Sequence, residues 1–134
     1  MKKVVTLVFA LVLAISLAVS GAVAESAGTG AALKVALCMS GAANDQGWNQ
    51  TAYEGALKAC EKYGFELSYT ENLGTADIVT AFADYAAAGY DVVIGHGYEF
   101  GDPALEVAET YPNVKFICTE ANASAENVAS YVMA

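Results

Sequence analysis

Positive charge is scarce in this sequence. Six lysines and arginines stand against 15 aspartates and glutamates, and there is a single histidine. A surface of this kind repels phosphate backbones, and no cluster of basic residues is present to attract them. The same scarcity argues against docking on anionic lipid through a basic patch. The composition therefore predicts no nucleic-acid partner.

Cysteine is also scarce. Cys38, Cys60 and Cys118 are odd in number and widely spaced, which excludes a CxxC metal site and a dense disulfide framework. Each lies in an apolar stretch, where a free thiol packs like a small hydrophobic side chain. One pair bridged in an oxidising compartment is the alternative. The pattern favours three buried thiols and predicts no metal site.

The common enzyme motifs are missing. There is no P-loop, GxSxG or HExxH motif, and Gly95-x-Gly97 is not completed into GxGxxG. His96 stands alone, without a second ligand at metal-binding spacing, so we expect it to make a local hydrogen bond. An acid/base cluster of His96, Glu99 and Asp102 is the alternative, although its spacing is not diagnostic. We therefore expect a protein that is not an enzyme and needs no cofactor.

The N-terminus has the pattern of a secretion signal. Two lysines precede an apolar run over 4–19, and an Ala-x-Ala site ends at Ala24. The run approaches the roughly 20 residues that span a bilayer, but serines and a glycine dilute it. We predict a signal peptide over 1–24, a flexible leader over 25–32, and export to the periplasm or the outer face of the cell membrane. No cysteine follows the signal directly, so a lipid anchor is not expected.

After cleavage, four lysines remain against 15 carboxylates, a formal net charge of about −11, in a chain of roughly 110 residues. Strands and helices alternate along it, which predicts parallel strands and right-handed crossovers. The fold class is therefore α/β, an open doubly wound parallel sheet with strand order 2-1-3-4. The predicted strands are 33–39, 65–70, 91–95 and 114–119, and the helices begin near Trp48, Thr75 and Asp102. An apolar segment over 127–133 predicts a fifth strand or the start of a helix, and we expect the domain to be truncated there.

Two loops have an unusual composition. Residues 40–49 and 95–102 combine glycines, carboxylates, amides and aromatics. They leave the first and third strands, and in an open parallel sheet ligands bind at the carboxyl ends of strands where the strand order reverses. Glycines admit a ligand close to the backbone, and aromatic faces stack on flat rings. This inventory suits a planar solute with polar edges.

Several of these residues also have a structural interpretation. Asn44 or Asp45 suits the capping of the first helix, and Asp102, followed by Pro103, has the pattern of an N-cap. Thr75 is the expected cap of the second helix. Trp48 begins an apolar helix face, where aromatic side chains usually belong to the core.

Two segments carry a family resemblance. LKVALCMSGAANDQGWNQTAYEG and ADYAAAGYDVVIGHGYEFGDPALEVAETYPNVKFICTE resemble the basic membrane protein (BMP), or PnrA-like, group of substrate-binding proteins of ABC transporters, described for purine nucleoside uptake. The resemblance runs from about Leu33 to the end of the chain. It implies a type I periplasmic binding protein, in which two hinged α/β lobes close over a solute. Residues 33–134 match the N-terminal lobe, incomplete, and the second lobe is absent.

The resemblance also implies a function and a set of site residues. The function is that of an exported binding component of an ABC importer, with a purine nucleoside or similar heteroaromatic solute and an ABC permease as partners. A sensory solute-binding domain and a small exported enzyme are the alternatives. Because one lobe covers only one side of a solute, we expect weak binding by this chain alone. The residues implied to contact the solute, with Trp48 as the stacking aromatic, are Asn44, Asp45, Trp48, Asn49, Gly97, Tyr98 and Asp102.

Overall fold

The computed structural model describes residues 31–133, in which five strands form one sheet with helices on both faces. The predicted signal peptide and most of the predicted leader lie outside the described residues. No helix within 31–133 has the length and the apolar character needed to cross a membrane.

The helices and strands follow the predicted order, and the bounds of the first four strands differ from the prediction by a single residue. The strands are β1 (Lys34–Met39), β2 (Glu66–Thr70), β3 (Val92–His96), β4 (Lys115–Thr119) and β5 (Val128–Tyr131). The helices are α1 (Trp48–Tyr63), α2 (Ile78–Ala87) and α3 (Gly101–Thr110), with 3₁₀ turns at Thr75–Asp77 and Tyr98–Phe100.

All neighbouring strands are parallel, in the order β2-β1-β3-β4-β5. The predicted order of the first four strands is confirmed, and the last apolar segment is a fifth strand. The connection from β4 to β5 departs from the alternation, because it contains no helix. Its side chains Ala121 and Ala123 are small and buried, so an extended segment fits against the core where a helix would otherwise lie. The buried Asn127 anchors the segment, because its Nδ2, with two N–H donors, lies 3.0–3.3 Å from the carbonyl oxygens of Ala108, Tyr111 and Val114.

One face of the sheet carries the main core. Helices α2 and α3 pack there, and Phe82 stacks against Phe100 and packs against Phe116 with ring centroids 5.8 and 5.9 Å apart. Gly95 of β3 lies directly beneath these rings, because a Cβ at this position would come within 2.8 Å of Phe82. The absence of a side chain at Gly95 therefore allows the aromatic layer to approach the sheet. We call this side the closed face.

On the opposite face, α1 is the one helix among residues 31–133 that packs on the sheet. This helix packs on β1 and β2 and leaves the half of the sheet formed by β3 and β4 uncovered by any element within 31–133. A groove of about 610 Å³ follows the helix there, lined by residues such as Leu37, Ala52, Gly55 and Ile94. Beyond it, Ile117 is 36% exposed. We call this side the open face.

Two of the predicted helix caps are wrong. Thr75 lies in a 3₁₀ turn, and α2 begins three residues later, at Ile78. Asp102 is not the N-cap of α3 either, because the helix begins at Gly101 with Phe100 at its N-cap. In both cases a 3₁₀ turn runs directly into the helix and supplies backbone hydrogen bonds where a side-chain cap was expected.

The prediction for the cysteines is confirmed. Cys38, Cys60 and Cys118 are all buried and unbridged. Burial raises the pKa of Cys38 to about 12 and that of Cys118 to about 11, and it also raises the pKa of Cys60. Such thiols carry little thiolate at neutral pH, so they act as packing groups.

Candidate functional site

The two unusual loops leave adjacent strands at the same edge of the sheet. Met39 and His96, the last residues of β1 and β3, are paired in register, so the loops that follow them start side by side. The rings of Trp48 and His96 join the loops directly, with centroids 4.3 Å apart and an interplanar angle of 25°. We call this place the crevice. Its position is the one that the strand order predicts for a ligand.

Asp45 closes the start of α1. Its Oδ1 accepts hydrogen bonds from the backbone N–H groups of Gly47 and Gln50 at 2.8 and 3.0 Å. Its Oδ2 accepts from the backbone and the side-chain amide of Asn49 at 3.0 and 2.9 Å. A carboxylate has about four acceptor sites, and all are used here. The capping interpretation of Asp45 is therefore the one that the structure supports.

These hydrogen bonds, led by the one from the Asn49 side chain, hold the pKa of Asp45 well below its usual range. The ionised form is the one that orders the loop, because only a carboxylate accepts all four bonds. The negative charge also lies at the N-terminus of α1, where the helix dipole favours it.

Asn49 lies beneath the first loop rather than at its surface. Its side chain is buried, with Nδ2 bonded to Asp45 and Oδ1 without a hydrogen-bond partner among the described residues. Gly41 covers it so closely that a Cβ there would collide with the amide. Asn49 therefore supports the loop from inside.

In the second loop, Gly97 has φ 146° and ψ 161°, a conformation open to glycine alone, and a Cβ there would collide with the Glu99 carboxylate. This sharp turn places Tyr98 outward, where its side chain is 79% exposed. Asp102, in the first turn of α3, is also exposed.

The seven predicted site residues thus divide into two groups. The backbone and side-chain contacts of Asp45, Asn49 and Gly97 shape the loops. Trp48 is 41% exposed, and Asn44, Tyr98 and Asp102 are exposed as well. Asp45 is exposed too, but its carboxylate oxygens accept hydrogen bonds from its own loop.

His96 is the centre of the contact between the loops. It is 7% exposed, and its ring nitrogens lie 3.2 Å from the Trp48 carbonyl oxygen and 3.0 Å from Thr119 Oγ1. The prediction that His96 bonds to a residue near it in sequence is therefore wrong, because both partners are distant in sequence. Burial lowers the pKa of His96, against opposing effects of the Trp48 carbonyl and of Glu99, Asp45 and Glu120.

The same geometry bears on the acid/base alternative. Both ring nitrogens of His96 already have partners, and neither partner is Glu99 or Asp102. No group of three or more metal-ligating side chains lies close enough together within 31–133 to hold a metal ion. The acid/base cluster is therefore not assembled through hydrogen bonds to the His96 ring among the described residues.

Three residues at the same edge were not identified from the sequence. Glu71, after β2, accepts a 2.6 Å hydrogen bond from the backbone N–H of Ala43 and holds the first loop. Thr119 and Glu120, at the end of β4, border the crevice on its other side. All three follow the carboxyl ends of strands, and this position was the available signal.

Backbone strain also collects at this edge. Within 31–133, the non-glycine residues with positive φ are Gln46 at 59°, Asn72 at 54° and Glu120 at 56°. Each lies in a loop that follows a parallel strand. Conformations of this kind cost about 1–3 kcal/mol and cluster at functional sites when the surrounding structure holds them.

Comparison with known proteins identifies the family of this chain. Residues 32–133 match the family described as ABC transporter substrate-binding protein PnrA-like. The chain belongs to this family. The family resemblance and the fold class drawn from the sequence are thereby confirmed.

Individual relatives have several roles in their names. The chain is 34% identical over 98 residues to the transcriptional activator protein Med of Bacillus subtilis, covering 72% of this chain and 31% of that protein. It is 30% identical over 89 residues to a protein of Haloferax volcanii named as an ABC transporter glucose-binding protein, covering 66% and 23%.

Solved solute-binding proteins of ABC transporter systems have the same fold. One from Conexibacter woesei is 29% identical with a TM-score of 0.66, over 75% of this chain and 35% of that chain. Another, from Aeropyrum pernix, is 26% identical with a TM-score of 0.68, over 75% and 28%. This chain thus spans about a third or less of the length of these relatives.

Proposed function

We propose that this chain is the exported solute-recognition part of an ABC importer, and that it binds a purine nucleoside or a similar heteroaromatic solute at the crevice. The solute then passes to a permease in the cell membrane. Family membership supports the importer role, and the exposed aromatic pair supports the class of solute. The proposed organisation is a signal over 1–24, a flexible leader over 25–32 and an N-terminal α/β lobe over 33–134.

The observation that carries this proposal is the arrangement of Trp48. His96 covers one face of the indole ring, yet the side chain is 41% exposed, so its other face is the one available to a flat ring. Tyr98 stands exposed on the neighbouring loop, and Asp102 adds a carboxylate acceptor for hydroxyl or amine groups. Stacking favours a planar solute, and the acceptor favours one with polar edges.

Binding can be tested through the single tryptophan of the sequence. We expect millimolar adenosine to shift the indole N–H signal of Trp48 in NMR spectra, whereas glucose leaves it in place. The contrast matters because one relative is named for glucose. Adenine and riboflavin, compared in the same way, report whether the sugar or only the ring is recognised. A shift with glucose and none with adenosine would overturn the nucleoside proposal.

Tyr98 and Tyr63 provide a matched pair of variants. Both are exposed, but Tyr63 lies at the far end of α1 and packs on Phe65. We expect Tyr98→Ala to weaken adenosine binding by about tenfold at most, the value of one aromatic contact, and Tyr63→Ala to leave it unchanged. Equal effects of the two substitutions on adenosine binding would contradict the proposal that adenosine binds at the crevice.

Export can be tested separately. Expressed in a bacterium with its own signal, the chain should be recovered outside the cytoplasm with Glu25 as its first residue. A protein that retains Met1 and remains in the membrane fraction would favour an uncleaved anchor.

A sensory role is the second candidate, and the relative named as a transcriptional activator favours it. The two roles differ in what a gene deletion changes. Loss of labelled adenosine uptake supports the importer, whereas unchanged uptake with an altered transcriptional response to adenosine supports the sensor. The enzyme alternative predicts turnover that His96→Ala abolishes, and the occupied ring nitrogens of His96 argue against it.

A further inference from the structure

His96 contacts both walls of the crevice at once. Its ring stacks on Trp48, which begins α1, and its nitrogens reach the Trp48 backbone and Thr119 at the end of β4. The side chain is more than nine-tenths buried, so it is not itself a surface for solute. Its contacts instead connect the exposed aromatic ring to the sheet.

The hydrogen bonds assign the protonation of this imidazole. A backbone carbonyl oxygen only accepts, so Nε2 of His96 donates its proton to the Trp48 oxygen. In a neutral ring Nδ1 is then an acceptor, and the Thr119 hydroxyl donates to it. The chain of bonds therefore runs from the hydroxyl through the ring to the first turn of α1.

We infer that His96, in its neutral form, is a positioning residue that fixes the Trp48 indole and leaves one of its faces open to a solute ring. The inference rests on the proposed function for the identity of the solute, but the fixing of Trp48 does not require one. His96 acts here through another residue, because its ring lies behind the indole.

Protonation of His96 should weaken this arrangement. A second proton on Nδ1 turns that nitrogen into a donor, so the Thr119 hydroxyl must rotate to accept, and a charge is placed in a largely buried site. The charged groups around the ring are Glu99 in the 3₁₀ turn, Asp45 before α1 and Glu120 after β4, and all three favour the proton. Burial is the larger effect and opposes it.

The sole tryptophan makes the inference measurable without any solute. Trp48 fluorescence in the wild-type chain should titrate once, with a midpoint below the ordinary histidine value of about 6.5. Two variants separate the contacts of the ring. His96→Phe keeps a stacked ring without hydrogen bonds, and His96→Gln keeps an N–H donor without an aromatic ring. Both should lose the titration, and both should make Trp48 more accessible to quenching by acrylamide.

Thr119 supplies a matched control. Thr119→Val removes the hydroxyl and should raise acrylamide quenching, whereas Thr119→Ser retains the hydroxyl and should behave as the wild type. Circular dichroism of each variant separates a local effect from failure to fold. With adenosine as the probe, we expect His96→Phe to weaken binding by about tenfold, the value of one hydrogen bond, without abolishing it.

The outcomes distinguish the two proposals. A titration of Trp48 fluorescence that survives in folded His96→Phe overturns the role of His96. Quenching that is the same in the wild type, His96→Phe and His96→Gln also overturns it. If the fluorescence changes occur as expected and adenosine binds not even the wild type, the proposed function fails while the positioning of Trp48 by His96 stands.

Discussion

The closed and open faces of the sheet are made by the same strands but are covered by helices to different extents. On the closed face, α2 and α3 bury Phe82, Phe100 and Phe116 to 1% exposure or less. On the open face, α1 leaves Ile117 at 36% exposure and Trp48 at 41%. Side chains alternate along each strand, so Phe116 and Ile117, neighbours in β4, belong to different faces.

The closed face therefore contributes most of the stabilising packing, and the open face contains the exposed apolar surface. Buried aromatic rings in contact with one another support the strands from the closed face. The open face presents an apolar groove that no element within 31–133 fills, a feature typical of surfaces that contact other protein or ligand. The crevice residues Trp48, His96 and Thr119 all border this groove at the carboxyl edge.

The largest expected effect is the loss of stability when an aromatic side chain of the closed face is truncated. Phe82→Ala should lower the free energy of unfolding by about 3–5 kcal/mol, because it leaves a cavity in the closed face. Ile117→Ala should cost only about 1 kcal/mol, since much of that side chain is already exposed. Urea unfolding of the full chain measures both.

Milder substitutions keep this comparison informative if Phe82→Ala does not fold. Phe82→Leu and Ile117→Val should preserve the same order of destabilisation. Losses of equal size on the two faces would contradict the division between a closed and an open face.

Replacing one glycine on each face by alanine should change the stability by a smaller amount, with opposite signs on the two faces. Gly95→Ala should destabilise by about 1–3 kcal/mol, because the added Cβ meets Phe82 and Phe100. Gly55→Ala, in the interior of α1, meets nothing within 4 Å and should stabilise by about 0.5–1 kcal/mol through helix propensity. Thermal unfolding of the two variants provides the test, and destabilisation by Gly55→Ala would mean that the groove is filled in solution.

The smallest effect concerns Asp45, at the crevice end of the open face. Its pKa is lowered in the folded chain, so it contributes stability above the unfolded value of about 3.9, and this contribution is lost as the pH falls below it. The stability difference between wild type and Asp45→Asn should therefore shrink below about pH 4. Exposure of Asp45 to solvent keeps the effect modest.

Asn44 serves as the control for this titration, because it is the exposed, non-ionising neighbour of Asp45. Asn44→Ala should differ from the wild type by the same amount at every pH. A difference for Asp45→Asn that persists unchanged at pH 3 would show that the carboxylate charge does not order the loop.

Most of the fold could be predicted from the sequence because its signals are local. Apolar runs such as 91–95 and the helical spacing after Trp48 predicted the elements, and alternation predicted their parallel pairing. The helix-free connection before β5 was not predicted, since its reason is the packing of Ala121 and Ala123 against distant core residues. The caps at Thr75 and Asp102 failed because 3₁₀ turns competed with them.

The sequence predicted the position of the crevice but not the contacts of its side chains. Glycines, carboxylates and aromatics after β1 and β3 predicted which two loops meet at one edge of the sheet. Composition does not distinguish a carboxylate that caps a helix, such as Asp45, from one that does not, such as Asp102. His96 was set aside because its partners, Trp48 and Thr119, are remote in the chain.

The sequence by itself determined the order of strands and helices, the two loops that share an edge and the family, because periodicity and motifs are read along the chain. Only the tertiary structure decided which residues support those loops and which present themselves, and that one face of the sheet is closed while the other is open. Burial and hydrogen-bond partnership depend on residues far apart in sequence, and the chain order alone does not specify their distances.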